Sequence, residues 1–520
     1  MTTAGSRRAA GSAEPEVPIT GGVVRGRREE GLAVFRGIPF AEPPVGDARF
    51  AAPRPVRDWP GVREAVSFGP PPPQDEAELR ETLRGARLPD PPAGDDWLTV
   101  NVWTPDPDPA VRRPVMVWIH GGAYKLGYSG THDAQRIAGD GDVVVVSFNY
   151  RLGIEGFARI DGAPANRGLL DQVAALRWVR DNIAGFGGDP GQVTVFGESA
   201  GAGCVAALLA MPAAVGLFRR AILQSMPGMY FSDELARDIA AAIAAEVDLR
   251  PTAADLSGMD PRELSSAGDA LAATMRRHAD RWGQAAHANR LFAPVVDGQV
   301  LPTTPWQALT DGAGRAVELI VGHNRDEYRL FIAMAGQLGK ITDEQAVWAL
   351  RVFGPGPDGE RAYRQAFPHA SAGAFYELVH SDWQYRMPVL HLANAQVAGG
   401  GRVHMYELTW PAPAGAGVLG ACHSLEVPLL FGTPNQMLLG DKPPPHAEAL
   451  GTRLRTAWTT FAATGDPGWP AYDTGRRLVQ IFDTAPAVAA YPEETSRRLW
   501  LNHTFAALPL RAAVTAAGRV

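Results

Sequence analysis

The amino-acid sequence predicts an α/β protein: a mostly parallel central sheet with helices on both faces and helical insertions. Three observations point there. Asp142–Tyr150 contains Val143–Val146, an unbroken valine run suited to a strand buried on both faces. Between Gly168 and Ile183 the period changes, with Leu169, Val173, Leu176, Val179 and Ile183 recurring every three or four residues, as an amphipathic helix requires. Val193–Phe196 then reads as a strand, Gly197–Gly201 as a turn and Ala202–Met211 as a helix. This alternation builds parallel sheets covered by helices.

The other elements follow in chain order. Residues 1–15 carry Arg7 and Arg8 but no apolar stretch, so they read as a disordered leader and not a secretory signal. Proline-rich patches at Gly69–Pro73 and Pro89–Gly94 bracket a charged surface excursion. Leu98–Trp103 and Val115–Ile119 are short apolar strand candidates, as are Ala221–Leu223, Leu319–Val321, Val403–Leu408 and Leu478–Phe482. Ser232–Arg290 and Thr342–Gln396 are helix-prone and read as insertions near 232–290 and 342–396. Glu448–Thr464 reads as a late helix with Trp458 and Phe461 on one face. No Gly/Ser linker divides the chain, so 16–510 is expected to be one domain, with a tail at 511–520.

Composition narrows the function classes. The chain has 520 residues, 46% hydrophobic and 20% charged, with a net charge of −7 and no basic stripe, which argues against a nucleic-acid partner. No run of about 18 apolar residues suggests a membrane span. Two cysteines, Cys204 and Cys422, allow at most one disulfide and read better as small buried apolar residues in a reducing cytoplasm. No metal or cofactor is expected, and the oligomeric expectation is a monomer or small homo-oligomer.

The chemistry concentrates at Gly197-Glu198-Ser199-Ala200-Gly201. A serine on a tight strand–turn–helix junction is the nucleophile elbow of an α/β-hydrolase fold, and glycines flank it because a Cβ would strike the strand or helix. A serine hydroxyl needs a base and needs donors for the oxyanion it creates. His120-Gly121-Gly122-Ala123 directly follows the strand Val115–Ile119. The amides of Gly121 and Gly122, with that of Ala200 at the helix start, are candidate oxyanion donors. For the base, seven of the twelve histidines lie beyond Glu327, and residue pattern alone does not choose among them.

Longer stretches carry a family likeness: Phe35-Arg36-Gly37-Ile38-Pro39-Phe40-Ala41-Glu42-Pro43-Pro44-Val45-Gly46, Asn166-Arg167-Gly168-Leu169-Leu170-Asp171-Gln172 and Phe186-Gly187-Gly188-Asp189-Pro190. The chain resembles the type-B carboxylesterases, which include bacterial p-nitrobenzyl esterases, mammalian carboxylesterases and cholinesterases. The resemblance implies a serine esterase acting on small-molecule esters by two-step acyl transfer. It implies the acid at Glu327, in Gly322-His323-Asn324-Arg325-Asp326-Glu327, with Asp326 as the rival. It implies the base at His423, in Gly420-Ala421-Cys422-His423-Ser424-Leu425-Glu426. Glu198 and Ser225 match supporting positions, Glu198 adding negative potential near the imidazole or serving as a structural carboxylate.

Departures from the family pattern matter too. Asp95-Asp96-Trp97-Leu98 lacks the cysteine of the secreted members, which removes their disulfide-bounded loop and argues against cholinesterase activity. Tyr328 and Met226-Pro227 stand where relatives carry glycine. Tyr124, Met226, Tyr230, Phe231, Tyr328 and Phe331 are candidate pocket walls or plain core, and none is assigned to binding. An amidase or carbamate hydrolase with the same triad is the alternative, and a non-catalytic binding protein on the same fold the remote one. Activity is expected to fall as pH drops through the imidazole pKa, about 6.5 before environmental shifts.

Overall fold

A computed structural model describes residues 14–82 and 92–512. The expected leader 1–15 and tail 511–520 thus lie almost wholly outside the described residues, as does part of the proline-rich excursion.

The molecule is organised on an eleven-stranded sheet. From one edge the order is Ala487–Ala490, Leu478–Phe482, Val403–Leu408, Glu318–Asn324, Arg220–Gln224, Gly188–Glu198, Arg113–Ile119, Val144–Phe148, Thr99–Thr104, Leu32–Pro39 and Arg27–Glu29. Every neighbouring pair from Leu478–Phe482 across to Val144–Phe148 runs parallel. The remaining neighbours at both edges are antiparallel. Of the N-terminal antiparallel strands, Thr99–Thr104 answers to the strand candidate Leu98–Trp103, whereas Leu32–Pro39, Arg27–Glu29 and a small separate sheet of Glu16–Ile19, Gly22–Arg25 and Val62–Glu64 were not foreseen from the sequence. All but Leu32–Pro39 span three or four residues with few buried side chains, and Leu32–Pro39 is interrupted by Arg36-Gly37, so none shows a clean apolar alternation.

The valine run behaves as its composition requires. Val144 and Val146 enter the core on one face and Val143 and Val145 that on the other, all fully buried. Met116 and Trp118 likewise face away from Val115 and Val117. The first core is covered by the helices Arg167–Asn182 and Ala200–Ala210, which contribute Leu176, Val179 and Cys204. The second is covered by Pro445–Thr464, which contributes Trp458 and Phe461, and by Gln135–Gly141. Cys204 and Cys422 are both buried and free.

Residues 232–290 form a series of helices including Asp233–Ala245 and Pro261–Thr274. Residues 342–396 form Asp343–Phe353, Gly359–Ala366 and Ala372–Ser381, and the start of Met387–Ala398. No helix among the described residues is long and apolar enough to cross a membrane. Because the central strands are parallel, the loops after Arg113–Ile119, Gly188–Glu198, Glu318–Asn324 and Val403–Leu408 all emerge at one end of the sheet. Those loops carry Gly121, Ser199, Glu327 and His423.

Candidate active site

Ser199 joins the strand Gly188–Glu198 to the helix Ala200–Ala210 with φ 54° and ψ −125°, a strained backbone for a residue with a Cβ. The neighbouring glycines permit it. A Cβ on Gly201 would lie 2.0 Å from the Ile119 carbonyl oxygen, and one on Gly197 2.7 Å from the backbone of Gly201. The turn is anchored where the Ser199 N–H donates to the carbonyl of Gln224 (2.9 Å) on the next strand.

Gly121 passes directly beside the elbow; a Cβ there would sit 2.8 Å from the Glu198 carbonyl and 3.2 Å from Ser199 Cβ. Among the described residues, the N–H groups of Gly121 and Gly122 have no partner within the protein, so both remain free to donate outward. Ala200 opens the helix, where backbone N–H groups are likewise unclaimed. His120 serves as support. Its ring stacks on Tyr150 at 4.5 Å, its carbonyl accepts from the Tyr150 hydroxyl (2.7 Å), and burial pushes its pKa down to about 4.

Glu327 and Asp326 have different partners. Glu327 is fully buried, with Oε2 2.6 Å from His423 Nδ1 and Oε1 accepting the Asn324 N–H at 2.8 Å. Asp326 points elsewhere, accepting the Ala421 N–H (2.8 Å) and pairing with Arg329 (2.9 Å). It braces the loop that carries His423.

His423 differs electrostatically from the other buried histidines. Burial pushes His132, His323 and His380 down to about 3 and His391 to about 4. Burial acts against the charged form of His423 as well, but the charges of Glu198 and Glu327 outweigh it and hold the imidazole up to about 9. Its Nε2 lies 3.2 Å from Glu198 Oε1, which also accepts the Ser424 hydroxyl at 2.6 Å. Ser199 Oγ makes no hydrogen bond among the described residues, although Ser199 and His423 share one cavity wall. An imidazolium has a donor on each nitrogen and no acceptor. With a carboxylate facing each ring nitrogen, the surroundings favour the protonated ring.

A third buried carboxylate, Glu426, completes the cluster. Asn324 Nδ2 donates to it (2.6 Å), and burial together with Glu198 and Glu327 raises its pKa to about 8. Burial also raises Glu198. Sequence reasoning assigned Glu426 no role, although it ends the segment that names His423; Ser424 was missed in the same way. Ser225 does not line the cavity. It is fully buried with φ 52°, its N–H donates to the Gly322 carbonyl (2.8 Å), and its hydroxyl has no partner among the described residues.

The cavity has a volume of about 330 Å³ and is lined by Ser199, His423, Gly121, Gly122 and Ala200. Of the candidate wall residues, Tyr124 and Phe331 line it, whereas Met226, Tyr230, Phe231 and Tyr328 do not. Tyr328 stacks instead on His380 at 4.2 Å. The aromatic wall nearest the imidazole is Tyr385, with ring centroids 4.3 Å apart, and Phe331, at 5.2 Å.

Residues 13–500 match the model of the carboxylesterase family. The chain is 35% identical to the para-nitrobenzyl esterase of Bacillus subtilis, covering 92% of this chain and 96% of that protein. It is also 35% identical to the phenmedipham hydrolase of Pseudarthrobacter oxydans, covering 93% and 99%. Among solved structures, a Geobacillus stearothermophilus carboxylesterase superposes with a TM-score of 0.80 at 36% identity, covering 93% of this chain and 99% of that one.

Proposed function

The chain belongs to the carboxylesterase family and is a carboxylic-ester hydrolase, and from that premise we propose that Ser199 is its nucleophile, His423 its base and Glu327 the orienting acid. The observation that carries this reading is the 2.6 Å contact between His423 and Glu327, in a wall shared with a strained serine and unclaimed amides.

In the proposed mechanism neutral His423 removes the Ser199 proton as Oγ attacks the ester carbonyl. The oxyanion is received by the N–H groups of Gly121, Gly122 and Ala200, each worth about 3–4 kcal/mol in the transition state. His423 then protonates the departing alcohol. Water, activated by the same imidazole, releases the acid and regenerates the serine. Glu327 fixes the tautomer and stabilises the imidazolium. Glu198 holds the proton on the resting imidazole, while Ser225 supports the elbow from the neighbouring strand end.

The cavity size favours small to medium apolar or aryl esters, the class to which the name of the para-nitrobenzyl relative also points. The free cysteines support a cytoplasmic enzyme of the bacterial type, working as a monomer or small homo-oligomer. Stopped-flow hydrolysis of 4-nitrophenyl esters of rising chain length, with matched anilides and carbamates, tests the reading. A burst of nitrophenol stoichiometric with enzyme, largest for the esters, is expected. Linear release without a burst, at substrate concentrations where deacylation limits turnover, contradicts an acyl-enzyme.

A further inference from the structure

Among the described residues, the cavity wall holds one arginine, Arg290, and no acid pairs with it. Arg290 lines the same cavity as Ser199 and is half-buried. Its guanidinium sits 5.9 Å from the ring centroid of Phe331, which is itself 5.2 Å from the imidazole of His423. The charge and the proposed base therefore pack against the same aromatic ring. Among the described residues its side chain forms no ion pair and no hydrogen bond. Its backbone is fixed where the Arg290 N–H donates to the Ala285 carbonyl (3.0 Å).

The neighbouring charges are spoken for. Lys125 pairs with Glu78 and with Asp269 (2.7 Å), which also occupies Glu78, an acid of the wall. Glu198 is engaged by His423 and Ser424. Arg276, exposed over Trp348 at 5.1 Å, likewise has no acidic partner among the described residues, and it acts together with Arg290 on Tyr328.

We propose that Arg290 determines specificity by binding a second, ionised carboxylate on the substrate, so that the enzyme favours esters bearing a free carboxylate about one aromatic ring from the scissile carbonyl. This deepens the ester-hydrolase reading of the Ser199 site and rests on it; the reaction is still hydrolysis of one ester bond by one water. A guanidinium presents a planar fork of donors that fits a carboxylate bidentately, and its stacking on Phe331 restricts its orientation. Arg290 is half-buried against Phe331, which limits its hydration and strengthens such a pairing. A neutral ester of the same shape leaves the guanidinium without that partner, so an anionic ester gains a contact its neutral counterpart lacks.

The test compares kcat/KM for paired substrates in wild type, Arg290→Gln and Arg290→Lys. One pair varies the acyl side, the 4-nitrophenyl monoester of adipic acid against 4-nitrophenyl hexanoate. The other varies the alcohol side, 3-carboxyphenyl acetate against 3-carbamoylphenyl acetate. In at least one pair the glutamine variant should lose about tenfold more activity on the anionic ester than on the neutral one, chiefly through KM, with lysine recovering part of the difference. The wild-type preference for that anionic ester should itself shrink as salt is raised, a readout that needs no variant. Equal losses on both members of each pair, or a wild-type anionic-to-neutral ratio that ignores salt, overturn the proposal. Turnover of the neutral esters, abolished by Ser199→Ala, keeps the ester-hydrolase reading intact whichever way Arg290 falls. If neither member of either pair is hydrolysed by the wild type, that reading fails first and takes the Arg290 proposal with it.

Discussion

Two buried polar clusters lie within this fold and are built on opposite principles. In the scaffold cluster every charge is answered. Arg151 donates from Nε to Asp171 Oδ2 (2.8 Å), from Nη2 to Oδ1 (2.7 Å) and from Nη1 to the Ala51 carbonyl (2.7 Å), with both side chains fully buried. Arg167 donates to the carbonyls of Glu155, Pro164, Ile154 and Ala158. Asn166 exchanges two hydrogen bonds with Val295. In the site cluster, Glu198, Glu327 and Glu426 surround a single imidazole, and negative charge exceeds what His423 can answer. The first arrangement is stable and inert; the second keeps protons bound where they are ordinarily lost, and so keeps a group ready to exchange one.

The comparison can be broken or sharpened by substitution, taking the largest expected effect first. Ser199→Ala should lower kcat by about 10⁴-fold or more with little change in melting temperature, since it removes chemistry and leaves both clusters in place. Activity and thermal unfolding measured on the same preparation check this, and unfolding of the variant would contradict it. Arg151→Met should do the reverse. Leaving Asp171 buried and unpaired destabilises by about 3–5 kcal/mol in denaturant titration, while turnover per active site, counted by fluorophosphonate titration, stays near wild type.

Glu198→Gln probes the excess charge. Activity needs the neutral imidazole, so a raised pKa means activity rises with pH on a limb displaced above 6.5 toward about 9. Removing the Glu198 charge should move that limb toward lower pH by about one unit in kcat/KM; an unmoved or upward-moved limb contradicts the electrostatic account. At the small end, Asp161→Asn removes the charge from a pair with Arg237 in which both side chains are well exposed. It should change stability by less than about 1 kcal/mol, because water and salt screen such pairs.

Much of this was legible in the amino-acid sequence, for reasons that differ from residue to residue. The valine run at 143–146 declares a two-sided strand because no other element tolerates four consecutive valines so well. Gly197 and Gly201 mark the elbow because backbone atoms lie well inside van der Waals contact of where their side chains would be. Glu327 and His423 were reached only through family resemblance, since a lone acid and a lone histidine carry no local pattern. What remained hidden depends on distant segments meeting. Glu426 matters because Asn324, about a hundred residues away, donates to it. The cavity wall draws Leu79, Phe331 and Met437 from separate parts of the chain, whereas Tyr328, next in sequence to Glu327, turns away to stack on His380. The resting orientation of Nε2 toward Glu198 could not be read from composition at all, because it follows from the balance of three buried carboxylates.

The most direct test of the account is where a covalent acyl or phosphonyl group lands. After reaction with a fluorophosphonate, proteolysis and mass spectrometry should find one adduct per chain, on the peptide carrying Ser199, and none in His423→Ala over the same interval. An adduct on another residue, or undiminished labelling without His423, would contradict the assignment of nucleophile and base.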